Sequence, residues 1–340
     1  MSEHFPVLRR GRPSREVVYQ RLDAQIAELW QRLGGLPSPV EATGIWRGIW
    51  FEEAHHSTAI EGNTLVLKQV EALLAEGRAV GNKELAEYME VKGYADAADW
   101  VYRQAITPVM ASASETLTLT ELRNVHQTVM RPVWDVAPHP DATDRERPGS
   151  FREQDIQRFP GGMQPPSWVL VASNVDSWLE RTNALEPRVD AFPHRLAELH
   201  AEFERIHPFL DGNGRTGRLV MNLLLVRLGY PPAIIYKRQR AEYLRALRRA
   251  DAGDSGALGE LLARAILDNL YRFIVPAVAG PARLVPLAAL ANHEITADAL
   301  RTAAVRGRLQ ATRGPDGQWR SSRNWVDVYL AVRYRRADET

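Results

Sequence analysis

Twelve consecutive residues, His207-Pro208-Phe209-Leu210-Asp211-Gly212-Asn213-Gly214-Arg215-Thr216-Gly217-Arg218, bring together a base, an acid, a glycine-rich turn and two arginines. Gly212 and Gly214 around Asn213 favour a tight loop with positive φ angles. The loop runs into an apolar helix from Thr216, so unpaired N–H groups at the helix start face the loop and form a nest for phosphate. Arg215 and Arg218 fall on neighbouring positions of the first turn and can fork onto phosphate oxygens. Asp211 offers a hard oxygen ligand suited to Mg²⁺. His207, with an ordinary pKa of about 6.5, can accept a proton from an attacking hydroxyl. Phe209 is read as an apolar anchor for the loop. A histidine before proline, or a Gly-Asn-Gly turn, is commonly structural when met alone, but a structural loop has no use for the whole set.

The segment resembles the signature of the Fic family, His-Pro-Phe-x-Asp/Glu-Gly-Asn-Gly-Arg-x-x-Arg, and matches it at every defined position. The resemblance runs from about Ile45 to Ile274. It implies a helical Fic fold and transfer of a nucleoside monophosphate, usually AMP from ATP, to Ser, Thr or Tyr hydroxyls of a target protein, with self-modification. By the same resemblance His207 is the base and Asp211 holds the metal, Mg²⁺. The backbone of Gly212, Asn213 and Gly214 forms the anion hole, and Arg215 and Arg218 hold the triphosphate. Positioning and charge neutralisation supply most of the catalysis in phosphate transfer, which agrees with this set.

Two further stretches acquire meaning from the resemblance. Ser57-Thr58-Ala59-Ile60-Glu61-Gly62-Asn63 reads from its residues alone as the tail of an amphipathic helix with Glu61 in solvent. It also resembles the family's inhibitory-helix motif at Ser57, Glu61 and Gly62, which implies that Glu61 pairs with Arg218 and keeps ATP from a productive pose. A bidentate carboxylate would occupy the guanidinium otherwise available to the γ-phosphate. The arm from Gly149 to Pro166 reads either as a surface loop or, by resemblance, as a β-hairpin flap that holds the target segment by strand addition. Phe151, Ile156 and Phe159 are its candidate contacts.

The elements that must position these groups read as mainly α-helical. Helical spacing marks Ser14–Leu33, Ile45–Ile60, Leu67–Ala75, Lys83–Ile106 and Leu119–Val129. Pro132 to Pro166, with seven prolines, cannot be a long helix. Helices resume over Trp168–Asn183, Pro193–Ile206, Arg218–Leu228, Gln239–Ala250 and Ala257–Ile274. The chain divides into N-terminal helices over 1–110, with the inhibitory helix at about 45–62, a Fic core over 111–275, a linker over 276–286 and a small domain over 287–340. In the last of these a short helix, a break at Asn292-His293, a helix over Thr296–Gly307 and a Gly314-Pro315-Asp316-Gly317 turn before Trp319 resemble a winged helix-turn-helix of the excisionase or MerR-like type. From Pro281 onward ten arginines face six acids. A DNA-binding reading places Thr296–Val305 in the major groove and Arg313–Arg320 on the backbone, and a protein-docking appendage is the alternative.

Composition narrows the classes. A formal charge of +1 over 340 residues gives no global field for nucleic acid or acidic lipid. The absence of cysteine excludes disulfides, thiolate metal sites and a cysteine nucleophile. No apolar run reaches membrane-spanning length, so no membrane partner and a cytoplasmic location are expected. The expectation is therefore an autoinhibited protein adenylyltransferase using ATP and Mg²⁺, with homodimer formation left open. The alternatives are a Fic enzyme using another nucleotide or removing AMP, and a DNA-bound regulator whose Fic fold senses nucleotide.

Overall fold

The computed structural model describes residues 13–40, 42–105, 116–157, 159, 162–280, 282–314 and 316–333. Helix α1 (Arg15–Arg32) starts where the Ser14 side chain accepts a hydrogen bond from the Val17 N–H. It is followed by α2 (Thr43–Ile60), α3 (Leu67–Glu76), α4 (Leu85–Tyr102) and α5 (Leu119–Trp134). Helix α4 is shorter than its apolar pattern suggests, and Ile106 lies outside the described residues. Thr118 and Glu121 form a reciprocal capping box that fixes the start of α5.

Helix α5 continues through Pro132 to Trp134, past the point where the sequence pattern ends it. Proline removes one intrahelical donor, but tertiary packing holds this turn in place. Gly93 of α4 lies so close that a Cβ there would meet the Val129 carbonyl at 2.1 Å and Pro132 Cδ at 3.2 Å.

After the proline-rich stretch come α6 (Val171–Asn183), α7 (Phe192–Ile206), α8 (Asn213–Arg227), α9 (Arg240–Asp251) and α10 (Gly256–Asn269). Helix α8 begins at Asn213, earlier than the apolar run implies, and every residue from Arg215 to Val226 is buried. It packs against α4, α5 and α7, so the first turn of the most enclosed helix carries the glycine-rich motif. Helix α10 continues through a π-helical turn, Leu270–Ile274, into α11 (Val275–Val278). Pro276, placed by sequence at the head of a linker, therefore lies in a helix, where position N1/N2 tolerates it.

The C-terminal segment holds a three-stranded antiparallel sheet in the order β1 (Val285–Pro286), β3 (Trp319–Ser321), β2 (Thr312–Arg313). The short helix Leu287–Leu290 and α12 (Ala297–Val305) come before the β2–β3 hairpin, and α13 (Arg323–Val332) comes after it. Pro281 and Pro315 lie outside the described residues. Arg320 on β3 reaches Glu28 on α1 with two bonds of 2.7 and 2.8 Å and also meets Asp316 at 3.2 Å. That pairing fastens the sheet to α1 and commits Arg320, which the DNA reading had placed on a phosphate backbone. No helix among the described residues is long and apolar enough to cross a membrane.

Candidate active site

The candidate base sits at a helix end. His207 is the C-cap of α7 with φ +49°, one of three non-glycine residues with positive φ among the described residues. This left-handed turn reverses the chain and brings the imidazole to the loop. His207 Nδ1 lies 3.1 Å from the Glu204 carbonyl. A carbonyl only accepts, so Nδ1 carries the proton and Nε2 keeps its lone pair. Burial pushes the His207 pKa down to about 4, against the opposing pull of the Glu204 carbonyl. The ring is thus neutral at physiological pH.

The loop that follows is braced from inside. Phe209 is fully buried, stacked on His126 with ring centres 3.6 Å apart. Asn213 exchanges two hydrogen bonds with the backbone of Phe209, Oδ1 accepting from its N–H at 2.9 Å and Nδ2 donating to its carbonyl at 2.8 Å. The Asn213 side chain therefore locks the loop and leaves only its backbone N–H for an anion. Gly212, the N-cap of α8, has φ +78°, and no side chain caps the helix there. The opening N–H groups of α8 thus present donors and a positive dipole end suited to an anion. Gly214 lies within the first turn of the helix, so only Gly212 uses the positive φ expected of both glycines.

Gly212 is also required by space. A Cβ there would stand 2.4 Å from Met130 Sδ and 3.4 Å from His126 Nε2. Gly212→Ala is expected to destabilise the protein by about 2–4 kcal/mol, from the strained φ and the overpacking together. The midpoint of urea denaturation measures this, and an unchanged midpoint would contradict it.

Both arginines are buried and paired. Arg218 donates from Nε to Ser57 Oγ at 2.7 Å, and from Nη2 to the Ser57 carbonyl at 3.0 Å and to Glu61 Oε1 at 2.7 Å. The Glu61 contact is single, so the two-pronged grip expected from the sequence is shared between Glu61 and Ser57. Burial works against the charge on Arg218, but Glu61, with Tyr243, Tyr94 and Glu204, raises its pKa above the ordinary value. Burial also opposes ionisation of Glu61, but Arg218 and Arg215 outweigh it and hold that carboxyl below its usual range. A Cβ on Gly214 would meet Glu61 Oε1 at 2.4 Å. The carboxylate therefore stands over the N-terminus of α8, where the helix dipole favours it, as well as on Arg218.

Gly62, at φ +114°, turns the chain immediately after α2. Asn63 then donates to Glu90 Oε2 at 2.9 Å, and Arg215 Nη1 donates to Glu90 Oε1 at 3.1 Å. Arg215 Nη2 also lies 3.2 Å from each Asp211 oxygen. Burial pushes the Asp211 pKa up, but Arg215 and the Gly212 N–H bring it net below the usual carboxylate range.

The flap differs from its expectation. No strand forms among the described residues from 149 to 166. A ladder needs N–H donors from the returning limb, and Pro165 and Pro166 have none. The segment is instead a loop in which the Phe159 N–H donates to the Met163 carbonyl and the Gly162 N–H to the Phe159 carbonyl. Of its three candidate contacts, Phe159 stands against the imidazole of His207, edge to face with centres 5.0 Å apart. Phe151 packs inward on Phe209 and under Arg123, so it supports the motif loop instead of facing a target. Ile156 is half-buried.

Sequence reasoning missed four supports. The Gly149 N–H donates to His126 Nδ1 at 2.8 Å, so His126 Nε2 carries the proton and donates to the Asp211 carbonyl at 2.9 Å. Burial depresses the His126 pKa to about 4 and keeps it neutral. Its signal was a histidine on the apolar stripe Leu122, Val125, Val129, Val133 of α5. Glu53, fully buried on the same face of α2 as Ser57 and Glu61, accepts from Tyr94, Tyr102 and Asn222 and fastens α2 to α4 and α8. Glu90 and Arg152 gave no signal of their own. Asn222 is fully buried and bonded to Glu53 and to the backbone of Ala233.

Residues 116–225 match the Fic/DOC family model, and this segment is a Fic/DOC domain. The protein adenylyltransferase Fic of Drosophila grimshawi is 34% identical over 210 residues, covering 60% of this chain and 39% of that protein. The chain thus spans well under half the length of this curated relative. The solved structure of Fic-1 from C. elegans superposes with a TM-score of 0.60 at 25% identity, covering 76% of this chain and 72% of that one. A Fic family protein from Desulfovibrio desulfuricans shares the fold with a TM-score of 0.54 at 22% identity, over 90% of this chain and 95% of that one. The mainly helical Fic fold is therefore present.

Proposed function

We propose that this protein transfers AMP from ATP to a Ser, Thr or Tyr hydroxyl of a target protein, and that Glu61 holds it idle. The observation that carries the reading is the arrangement of His207, with Nδ1–H fixed on Glu204 and a lone pair left on Nε2, beside the uncapped start of α8 and two buried arginines. In the reaction the hydroxyl oxygen attacks the α-phosphorus and the bond to the leaving pyrophosphate breaks, while the hydroxyl proton passes to His207 Nε2. The backbone of Gly212, Asn213 and Gly214 faces the phosphates, and Arg215 and Arg218 neutralise them.

Mg²⁺ fits the donor set. The Asp211 side chain is a hard oxygen ligand with 48% of its surface exposed, and Arg215 holds its orientation. The ion would neutralise phosphate charge there. The carboxylate already bonded to Arg218 blocks the productive pose by occupying both a guanidinium and the helix N-terminus. Self-modification follows when that block is lifted.

Intact-mass analysis of the Glu61→Gly protein with Mg²⁺ and each nucleoside triphosphate in turn tests the proposal. An added AMP from ATP supports it. Addition of a different nucleotide would redirect it to another nucleotide, and no addition with any of them would favour the sensor reading. A free base at His207 speaks against a sensor, since binding alone needs none.

One observation favours a second role at the C-terminus. Helix α12 presents Arg301, Thr302 and Val305 to solvent, and the exposed C-cap Arg306 follows, ahead of the exposed β2 strand with Arg313. This surface suits a winged helix-turn-helix reading DNA with α12. Arg301→Glu is then expected to weaken retention of duplex DNA in fluorescence anisotropy and to flatten its salt dependence. Equal retention by both proteins would remove this reading.

A further inference from the structure

Arg152 is a fully buried cation with no carboxylate of the described residues at hydrogen-bond distance; the nearest of these, Asp155 Oδ1, is 3.9 Å away. Its guanidinium is spent on backbone carbonyls. Nε donates to His207 at 2.8 Å and Nη1 to Gln154 at 2.9 Å, while Nη2 donates to Pro166 at 2.6 Å and to Ile206 at 3.4 Å. Its own N–H donates to the Pro208 carbonyl at 2.9 Å. Gln154 and Pro166 belong to the two limbs of the flap loop, and Ile206, His207 and Pro208 carry the base.

Burying a guanidinium among carbonyls is costly, and an apolar side chain would fill the same space without desolvating a charge. A planar fork of five donors is needed only where several carbonyls must be held at once. The carbonyls of Ile206 and His207 are orphans of the α7 C-terminus, turned away from the helix by the left-handed His207.

We infer that Arg152 is a positioning residue for AMP transfer: by tying Gln154 and Pro166 to the backbone of Ile206 and His207, it sets the distance between the base and the hydroxyl presented by the flap. The inference rests on the proposed function, with His207 as base and the flap as holder of the target. Phe159, in contact with the His207 ring, shows how close flap and base already stand.

The test uses the full chain carrying Glu61→Gly, with self-modification as the readout. Arg152→Met is expected to lower kcat on the order of 10²-fold, as a misplaced reacting group does, while KM for ATP holds. Arg152→Lys keeps the charge but cannot span four carbonyls, and should fall between. It also carries the comparison should the methionine variant fail to fold, as judged by its urea midpoint. In a background that also carries His207→Ala, Arg152→Met should lower the residual rate no further, because the group it positions is gone. An unchanged kcat, a loss confined to KM, or an equal loss with and without His207 would overturn the inference. If His207→Ala alone leaves the rate intact, the base assignment fails first, and that result is independent of the Arg152 variants.

Discussion

Glu61→Gly raises ATP-dependent self-modification on the order of 10–100-fold over the unaltered protein, the range of a typical coupling between two sites. The expectation follows from what the substitution removes and what it leaves. Glu61 Oε1 is bonded to Arg218 Nη2 and stands over Gly214 at the start of α8, so glycine frees both places where phosphate oxygens would sit. Arg218 stays aimed, because Ser57 still accepts from its Nε and its Nη2. The backbone at position 61 is an ordinary helix end, with φ −83°, so glycine can follow the same path there. Glu61→Gln separates charge from shape: a neutral amide keeps the contact but loses the ion pair, and should give an intermediate rate. Because the Glu61 carboxyl is held below its usual range, it stays ionised as pH falls toward the ordinary carboxylate values. Labelling from ATP measures all three proteins, and equal labelling would contradict the expectation.

His207→Ala, introduced into the active Glu61→Gly protein, should lower transfer by about 10²–10⁴-fold, the contribution of a positioned general base. ATP affinity should hold, since the phosphate donors lie on α8 and its two arginines. A pH profile adds an independent check. A group with a depressed pKa is proton-free above that value and lost as a base when pH falls through it. With the His207 pKa near 4, the rate should stay flat from neutral pH down through 6.5, where a solvent-exposed histidine would already show an inflection. An inflection near 6.5 would mean that the ring is exposed during turnover.

How much of this was legible in the sequence differs between elements. The helical body was, because α1, α2, α3 and α7 combine regular apolar spacing with local stop signals such as the positive-φ glycines 62 and 77. The turn of the motif was, because its residues are contiguous and the positive φ of Gly212 is set locally. The flap was not. Hairpin patterning around Phe151 and Phe159 was outweighed by Pro165 and Pro166, which lack ladder donors, and by Arg152, whose carbonyl partners lie at its limbs and on the motif loop. The course of α5 past Pro132 depended on Gly93, 39 positions away, allowing α4 to press against it. Supports such as Glu90, which binds Asn63 and Arg215 from a third helix, exist only after folding brings separate segments together.

Ser57 and Glu61, which the resemblance to an inhibitory helix includes, share a face of α2 with Glu53, which it does not. Glu53, Ser57 and Glu61 project from α2 at four-residue intervals and all reach α8, the first through Asn222 and the others through Arg218. The Glu61–Arg218 pairing is thus seated on a buried polar anchor, which fixes the register of α2 and so the reach of Glu61.

The account stands most directly on one parallel measurement: transfer of label to protein from ATP labelled at the α-phosphate or at the γ-phosphate. It is made on the unaltered protein, on Glu61→Gly and on Glu61→Gly with His207→Ala. Strong α-label is expected in Glu61→Gly, little in the unaltered protein, almost none without His207, and no γ-label in any. Equal α-label in the first two proteins, α-label that persists without His207, or transfer of the γ-label would contradict it.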